Sequence, residues 1–309
     1  MSCPEANRES IARTEAVMGT LVTIEVLIPR GTDNRPAHEA IERALGWFRE
    51  IEKRCSRFDP ASELMQLAAR PGEPVVTSPL LFEALRFARL VAEETGGAFD
   101  PTAGHRMMER GFDREHRSGK AIRASIQPAA DATWRDIELD PGRHTITLRR
   151  PLIPDLGAVA KGLAIDTATR ELTPFVNFAI DAGGDLFMAG TNRLDEPWTV
   201  GIRHPRRRDA LLESLLISGQ AVCTSGDYER RGADGRSHIL DPRTGRVAEG
   251  LASATVIAPL AMLADALATA AFVLGPVEGI RLLERMGVAG ILVTPDLERF
   301  ETGRLPHAA

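Results

Sequence analysis

Asp265 and Thr269 are the two chemically active side chains in PLAMLADALATAAFVLG, residues 259–275, a run otherwise apolar. Read as a helix, the run sets them four residues apart on one face, with Cβ atoms about 5–6 Å apart. A helix apolar on every side is a buried helix, and a buried carboxylate is costly unless it is paired or holds a metal. Thr269 has a local alternative, a bond back to the carbonyl of residue 265. Asp265 lies too deep in the helix to be an N-cap, so a polar or cationic group from elsewhere must meet it.

Four loops bring Gly, Asp, Thr and His next to apolar elements: GGAFDPTAG (96–104), DLGAVAKG (155–162), DAGGD (181–185) and TSGDYERRGADGRSHILDPRTG (224–245). Gly157 stands where a helix begins, so free backbone amides and the positive helix end there would face an anion. Lys161, one turn in, either adds a charge to a phosphate or lies exposed on the helix. The loop is not a Walker A motif, because no Ser or Thr follows the lysine. DAGGD reads as a tight turn between strands, and its paired glycines would also let a ligand approach the backbone. His238 sits on a short strand before the turn 241–245 and is open to a structural or a functional reading. Ser225 lacks the G-x-S-x-G elbow of a hydrolase nucleophile.

The elements that must position these loops follow from periodicity. TLVTIEVLI (20–28) alternates as a strand, and residues 36–55 and 78–95 carry apolar residues at helical spacing. Asp140-Pro141-Gly142 turns a hairpin between TWRDIEL and HTITL, and a helix follows residue 157. Strands are predicted over 175–180, 185–190, 197–203, 211–217, 220–224, 236–240, 252–258 and 290–294, with helices over 259–274 and 276–286. Helices interspersed with hairpins predict an α+β fold of mixed or antiparallel sheets. No repeat period is visible. The polar, aperiodic stretch 104–128 predicts an exposed excursion, the place where any boundary would fall.

The 309 residues are 43% hydrophobic and 26% charged with a net charge of −5, which gives no electrostatic reason to expect nucleic acid or an anionic membrane as partner. The basic run HPRRRD (204–209) reads as a solvated turn. Cys3, Cys55 and Cys223 are odd in number and lack C-x-x-C spacing, which argues against a disulfide framework or a thiolate zinc site. No apolar h-region precedes Cys3 and no run has the purity of a membrane span, so the chain as encoded is expected to be soluble and cytoplasmic.

Taken in order, VMGT (17–20), RFDPASEL (57–64), GGAFDPT (96–102), DLGAVAKGLAID (155–166), DAGGDLFMAG (181–190), TSGDYERR (224–231), SHILDPRTG (237–245) and ADALATA (264–270) resemble the FAD:protein FMN transferases, also described as thiamine-biosynthesis lipoproteins. The resemblance runs from about residue 16 to 295. It implies one flavin transferase domain over 12–300 with flexible ends at 1–11 and 301–309, built as two interlocked subdomains in a T-fold-like arrangement.

The implied reaction cleaves FAD at its pyrophosphate and transfers FMN to a Thr or Ser hydroxyl of an acceptor protein through a phosphoester bond, releasing AMP. It also implies a divalent metal, usually Mg2+, held by Ala158 (carbonyl), Asp265 and Thr269. Such a set suits a hard ion that takes few protein oxygens and completes its shell with phosphate and water. The implied FAD-binding residues are Met18, Phe58, Ala98, Phe99, Asp100, Asp155, Lys161, Ile239 and Leu240. The implied catalytic residues are His238 as general base, Lys161, and Asp241 as the orienting partner of His238, although residues three apart on a straight strand face opposite sides.

Two features depart from the family: members are commonly exported and lipid-anchored, and the segment after FDPT is here polar and charged. The sequence holds no D-G-x-T segment of the kind the family modifies, so the acceptor is expected to be a separate protein. An FAD pyrophosphatase using water, and a flavin-binding protein without chemistry, are the alternative readings.

Overall fold

The computed structural model describes residues 8–112, 114, 126–207, 209–229, 237–303 and 305. The described residues open with β1 (Arg8–Val17), β2 (Thr20–Pro29), α1 (Arg35–Cys55), α2 (Glu63–Ala68), β3 (Pro74–Val76), α3 (Pro79–Glu94) and α4 (Gly104–Glu109). A 3-10 turn (Trp134–Asp136) leads into β4 (Ile137–Asp140) and β5 (Thr145–Leu148), then α5 (Ala160–Leu172), β6 (Asn177–Ala182), β7 (Asp185–Ala189), β8 (Trp198–Arg203), β9 (Leu211–Ile217) and β10 (Gln220–Gly226). The described chain ends with β11 (Leu240–Asp241), β12 (Arg246–Val247), β13 (Ser253–Ala258), α6 (Ala261–Arg285), β14 (Ala289–Val293) and β15 (Arg299–Glu301).

The fold is α+β. One eight-stranded sheet runs β1-β2-β6-β7-β10-β13-β14-β15, and every pairing in it is antiparallel. Helices α1, α5 and α6 cover one face. The β8–β9 hairpin covers part of the other, packing Val200, Ile202, Leu215 and Ile217 on Val222, Ile257, Ile291 and Val293. With both faces covered, β13 is buried at every residue, the pattern of a central strand. One apolar core extends in sequence from Ile11 to Leu292.

Several elements lie outside the sequence reading. β1 begins at Arg8, so residues 8–11 belong to the sheet and not to a loose end. As an edge strand it buries only Ile11 and Val17, which erases the apolar alternation that would reveal it. Helix α4 breaks the expected excursion at 104–128 and buries Gly104 and His105; residues 113 and 115–125 of that stretch lie outside the described residues, as does Cys3. Cys55 and Cys223 are free thiols in the core.

Helix α6 has the length and apolarity of a membrane span, but more than half of that apolar window is buried inside the protein. It is kinked at Gly275, whose φ is 79°, just before Pro276, and the two pieces match the helices predicted over 259–274 and 276–286. Its N-terminus has no local side-chain cap. Asp166 of α5 supplies one instead, accepting from the amides of Ala261 (2.7 Å) and Met262 (3.0 Å). Beside it the two helices all but touch: a Cβ on Gly162 would collide with the backbone of Ala261 and Met262. Replacing Gly162 by Ala is expected to force α5 and α6 apart and cost about 1–3 kcal/mol. Asp166→Ala removes the cap, at a cost of about 1–2 kcal/mol. Urea denaturation of each variant measures both.

Candidate active site

Crossing α5 against α6 brings Lys161, in the first turn of α5, to Asp265 in the buried stretch of α6. The Lys161 Nζ lies 2.9 Å from Asp265 Oδ2 and 2.5 Å from Asp185 Oδ2. Both carboxylates are 5% exposed. The cationic partner demanded by Asp265 is therefore present, and it is the lysine ammonium. Burial works to lower the lysine pKa, but the charges of Asp185 and Asp265 outweigh it and hold the group above the usual lysine range. One turn along α6, Thr269 pairs its hydroxyl with Ser225 of β10 at 3.1 Å, so it bonds across to the sheet and not back to its own helix.

Asp185 owes its place to a tight turn. Gly183 and Gly184 have φ values of 69° and 96°, and they connect β6 to β7 with Ala182 paired to Asp185. A side chain on Gly183 would strike Thr20. Thr20 follows a second two-residue turn, Met18-Gly19, between β1 and β2. Met18 has a φ of 54°, unusual for a side-chain-bearing residue, and its amide donates to Glu52 Oε1 of α1 at 2.8 Å.

Two cavities meet at this cluster. The first, about 420 Å3, is lined by Ala98, Phe99, Asp100, Ala158, Ile239, Leu240, Asp265 and Thr269. The second, about 450 Å3, is lined by Met18, Glu52 and Phe112. Phe58, Asp155, Lys161 and His238 contribute to both walls. The expected flavin-binding residues thus converge, but on two chambers with a common wall. His238 lies at that wall, its ring 6.1 Å from the ring of Phe112.

Not every expected role is matched by position. Asp241 is absent from both cavity walls among the described residues. Its two oxygens accept from the guanidinium of Arg243 at 2.9 Å each, and one of them also accepts from the Arg243 amide. Burial raises its pKa, but these donors prevail and hold it below the usual carboxylate range. Asp241 ends β11, starts the turn into β12 and is given to Arg243; the strand expected over 236–240 is here only Leu240–Asp241, so His238 precedes it on irregular backbone, and residue 236 lies outside the described residues. Asp100 lines the first cavity, yet its carboxylate accepts from the Thr102 amide and hydroxyl and from the Trp134 amide. Burial, against those donors, raises its pKa.

Among the described residues no three His, Cys, Asp or Glu side chains converge to hold a metal. The donors around Lys161 are instead a mixed oxygen set: the carboxylates of Asp265 and Asp185, the hydroxyls of Thr269 and Ser225, and Ala158 in the same wall. Hard oxygen donors with two carboxylates fit a small divalent cation and not a soft metal.

A model of the ApbE family matches residues 18–292. The chain belongs to the ApbE family. Among similar curated proteins, the FAD:protein FMN transferase of Treponema pallidum is 33% identical, over 92% of this chain and 84% of its own. That of Rhodobacter capsulatus is 32% identical over 94% of this chain, which spans only 57% of that relative. Two solved structures share the fold. The ApbE protein of Thermotoga maritima superposes with a TM-score of 0.83 at 29% identity, covering 96% of this chain and 97% of the other. The flavin transferase ApbE of Vibrio cholerae has a TM-score of 0.82 at 25% identity, covering 96% and 98%.

In this ApbE-family chain the sequence reading missed Asp185 and Arg57. Asp185 shares the buried face of β7 with Phe187, and an acid alternating with a buried aromatic was the available signal. Arg57 is 7% exposed. It pairs with Asp155 at 3.0 Å, donates to the Phe112 carbonyl and stacks on Phe58 at 4.3 Å. Asp155 in turn accepts from the Gly157 amide at 2.8 Å, so Arg57 ties the Phe58 loop to the entry of α5. Arg57→Met strands Asp155 and should cost about 3–5 kcal/mol of stability, read by chemical denaturation.

Proposed function

We propose that this chain is an FAD:protein FMN transferase that moves FMN from FAD to a Thr or Ser hydroxyl of an acceptor protein and releases AMP. The carrying observation is the junction of the two cavities at Lys161 and His238, with Asp265 and Thr269 beside it in the wall of the first. FAD has two ring systems joined by a short charged link, and two chambers meeting at a cationic and oxygen-rich wall suit that shape. Family membership and the names of the relatives support the same reading.

In this reading Phe58, Ala98, Phe99, Met18, Ile239 and Leu240 offer apolar surface to the rings, with Asp100 and Asp155 at their polar edges. Lys161 and the amides around Gly157 face the pyrophosphate. Ala158, Asp265 and Thr269 would hold Mg2+, which, when bound, neutralises charge on the pyrophosphate oxygens. The acceptor oxygen bonds to the FMN-side phosphorus as the bond from that phosphorus to the bridging oxygen breaks, and AMP departs with that oxygen. His238 accepts the hydroxyl proton. Positioning and electrostatics carry most of the acceleration, as in other phosphoryl transfers.

The test is incubation with FAD, Mg2+ and a peptide or domain bearing a D-G-x-T segment. Flavin fluorescence that persists through a denaturing gel supports transfer; FMN and AMP without labelling identify a pyrophosphatase, and intact FAD a binder. Asp265→Ala is expected to lower the labelling rate by about 100-fold or more. Labelling at the wild-type rate by that variant in excess Mg2+ overturns the metal assignment.

A further inference from the structure

The Lys161 ammonium has three N–H donors, and two of them already point at Asp185 and Asp265. A divalent cation at Asp265 would compete with that ammonium for one carboxylate. The frame around it is closely packed: α5 and α6 are in backbone contact at Gly162, and the turn before Asp185 lies against Thr20. The flexible element is the lysine side chain, which is half-buried at the cavity wall.

We propose that Asp185 is a positioning residue for metal exchange at Asp265. When the cation takes Asp265, Asp185 retains the Lys161 ammonium beside it, and the donor released from Asp265 turns to a phosphate oxygen of FAD. The lysine is thus the resident counter-ion of Asp265, and it passes from one anion to another without leaving a buried charge unpaired. This rests on the reading of Asp265 as a metal ligand.

Mn2+ binding followed by electron paramagnetic resonance tests it, in the whole protein and without FAD. The wild type is expected to bind one Mn2+ that Asp265→Asn loses; failure of that result sinks the metal assignment itself. Given that site, Lys161→Met should bind Mn2+ about tenfold more tightly, because the competing ammonium is gone. Asp185→Asn should bind it about tenfold more weakly, because the lysine then belongs to Asp265 alone.

In the Lys161→Met background the Asp185→Asn effect should shrink to about twofold or less, the mark of action through the lysine. An equal loss in both backgrounds means that Asp185 meets the metal directly and overturns the proposal. So does unchanged or weaker binding by Lys161→Met, a result that stands even where Asp185→Asn fails to fold. With Mn2+ present, Asp185→Asn should raise the KM for FAD about tenfold with kcat less affected; an unchanged KM also overturns it.

Discussion

The contact between the α5 and α6 backbones at Gly162 is the constraint on which the site depends. Asp166 caps α6 from α5 in the same place, so the two helices are locked in register as well as in distance. Lys161 and Asp166 both lie on α5, on either side of that contact, and Asp265 follows the capped end of α6 by about one turn. The ion pair between Lys161 and Asp265 is thus a consequence of backbone packing. A bulkier residue at 162 would act on the chemistry without touching it.

The sheet fixes the other half of the site. β2 and β6 are neighbours in register, so the Met18-Gly19 and Gly183-Gly184 turns emerge side by side at one edge. One presents Met18 to the second cavity, held by Glu52 of α1. The other presents Asp185 to the first cavity and to Lys161. Left-handed backbone at Met18 is tolerated because the helix below and the neighbouring turn over-determine it, the usual circumstance for strain at a working site.

Long, strongly periodic elements were legible in the sequence: α1, α3, the two pieces of α6, the DAGGD turn and the central strands. Edge and short elements were not, because β1, β3 and β15 expose half or more of their residues and carry no apolar signature. Asp265 and Thr269 could be singled out because polar residues are conspicuous on a helix buried all round. Asp185 was less conspicuous, since a charged residue directly after a diglycine turn reads as exposed and its one cue was the alternation with Phe187. Its partner comes from a helix about 24 residues earlier in the chain, and only the sheet order β2-β6-β7-β10 under α5 reveals that meeting. Asp241 illustrates the converse: proximity in sequence to His238 suggested a pair, but a turn with Arg243 two residues on claims its carboxylate.

Two buried carboxylates and one ammonium sum to a single negative charge, and that balance is itself informative. A pair of unpaired acids would weaken the fold by several kcal/mol, whereas a fully neutralised pair would offer little to a cation or to catalysis. Sharing one lysine between Asp185 and Asp265 gives each carboxylate a cationic partner and leaves the cluster attractive to further positive charge. The same lysine lines the first cavity, so in the proposed reading the group that stabilises the cluster is also a donor to the pyrophosphate. Stability and function then draw on one charge, and the short reach of a lysine side chain is what lets it serve both.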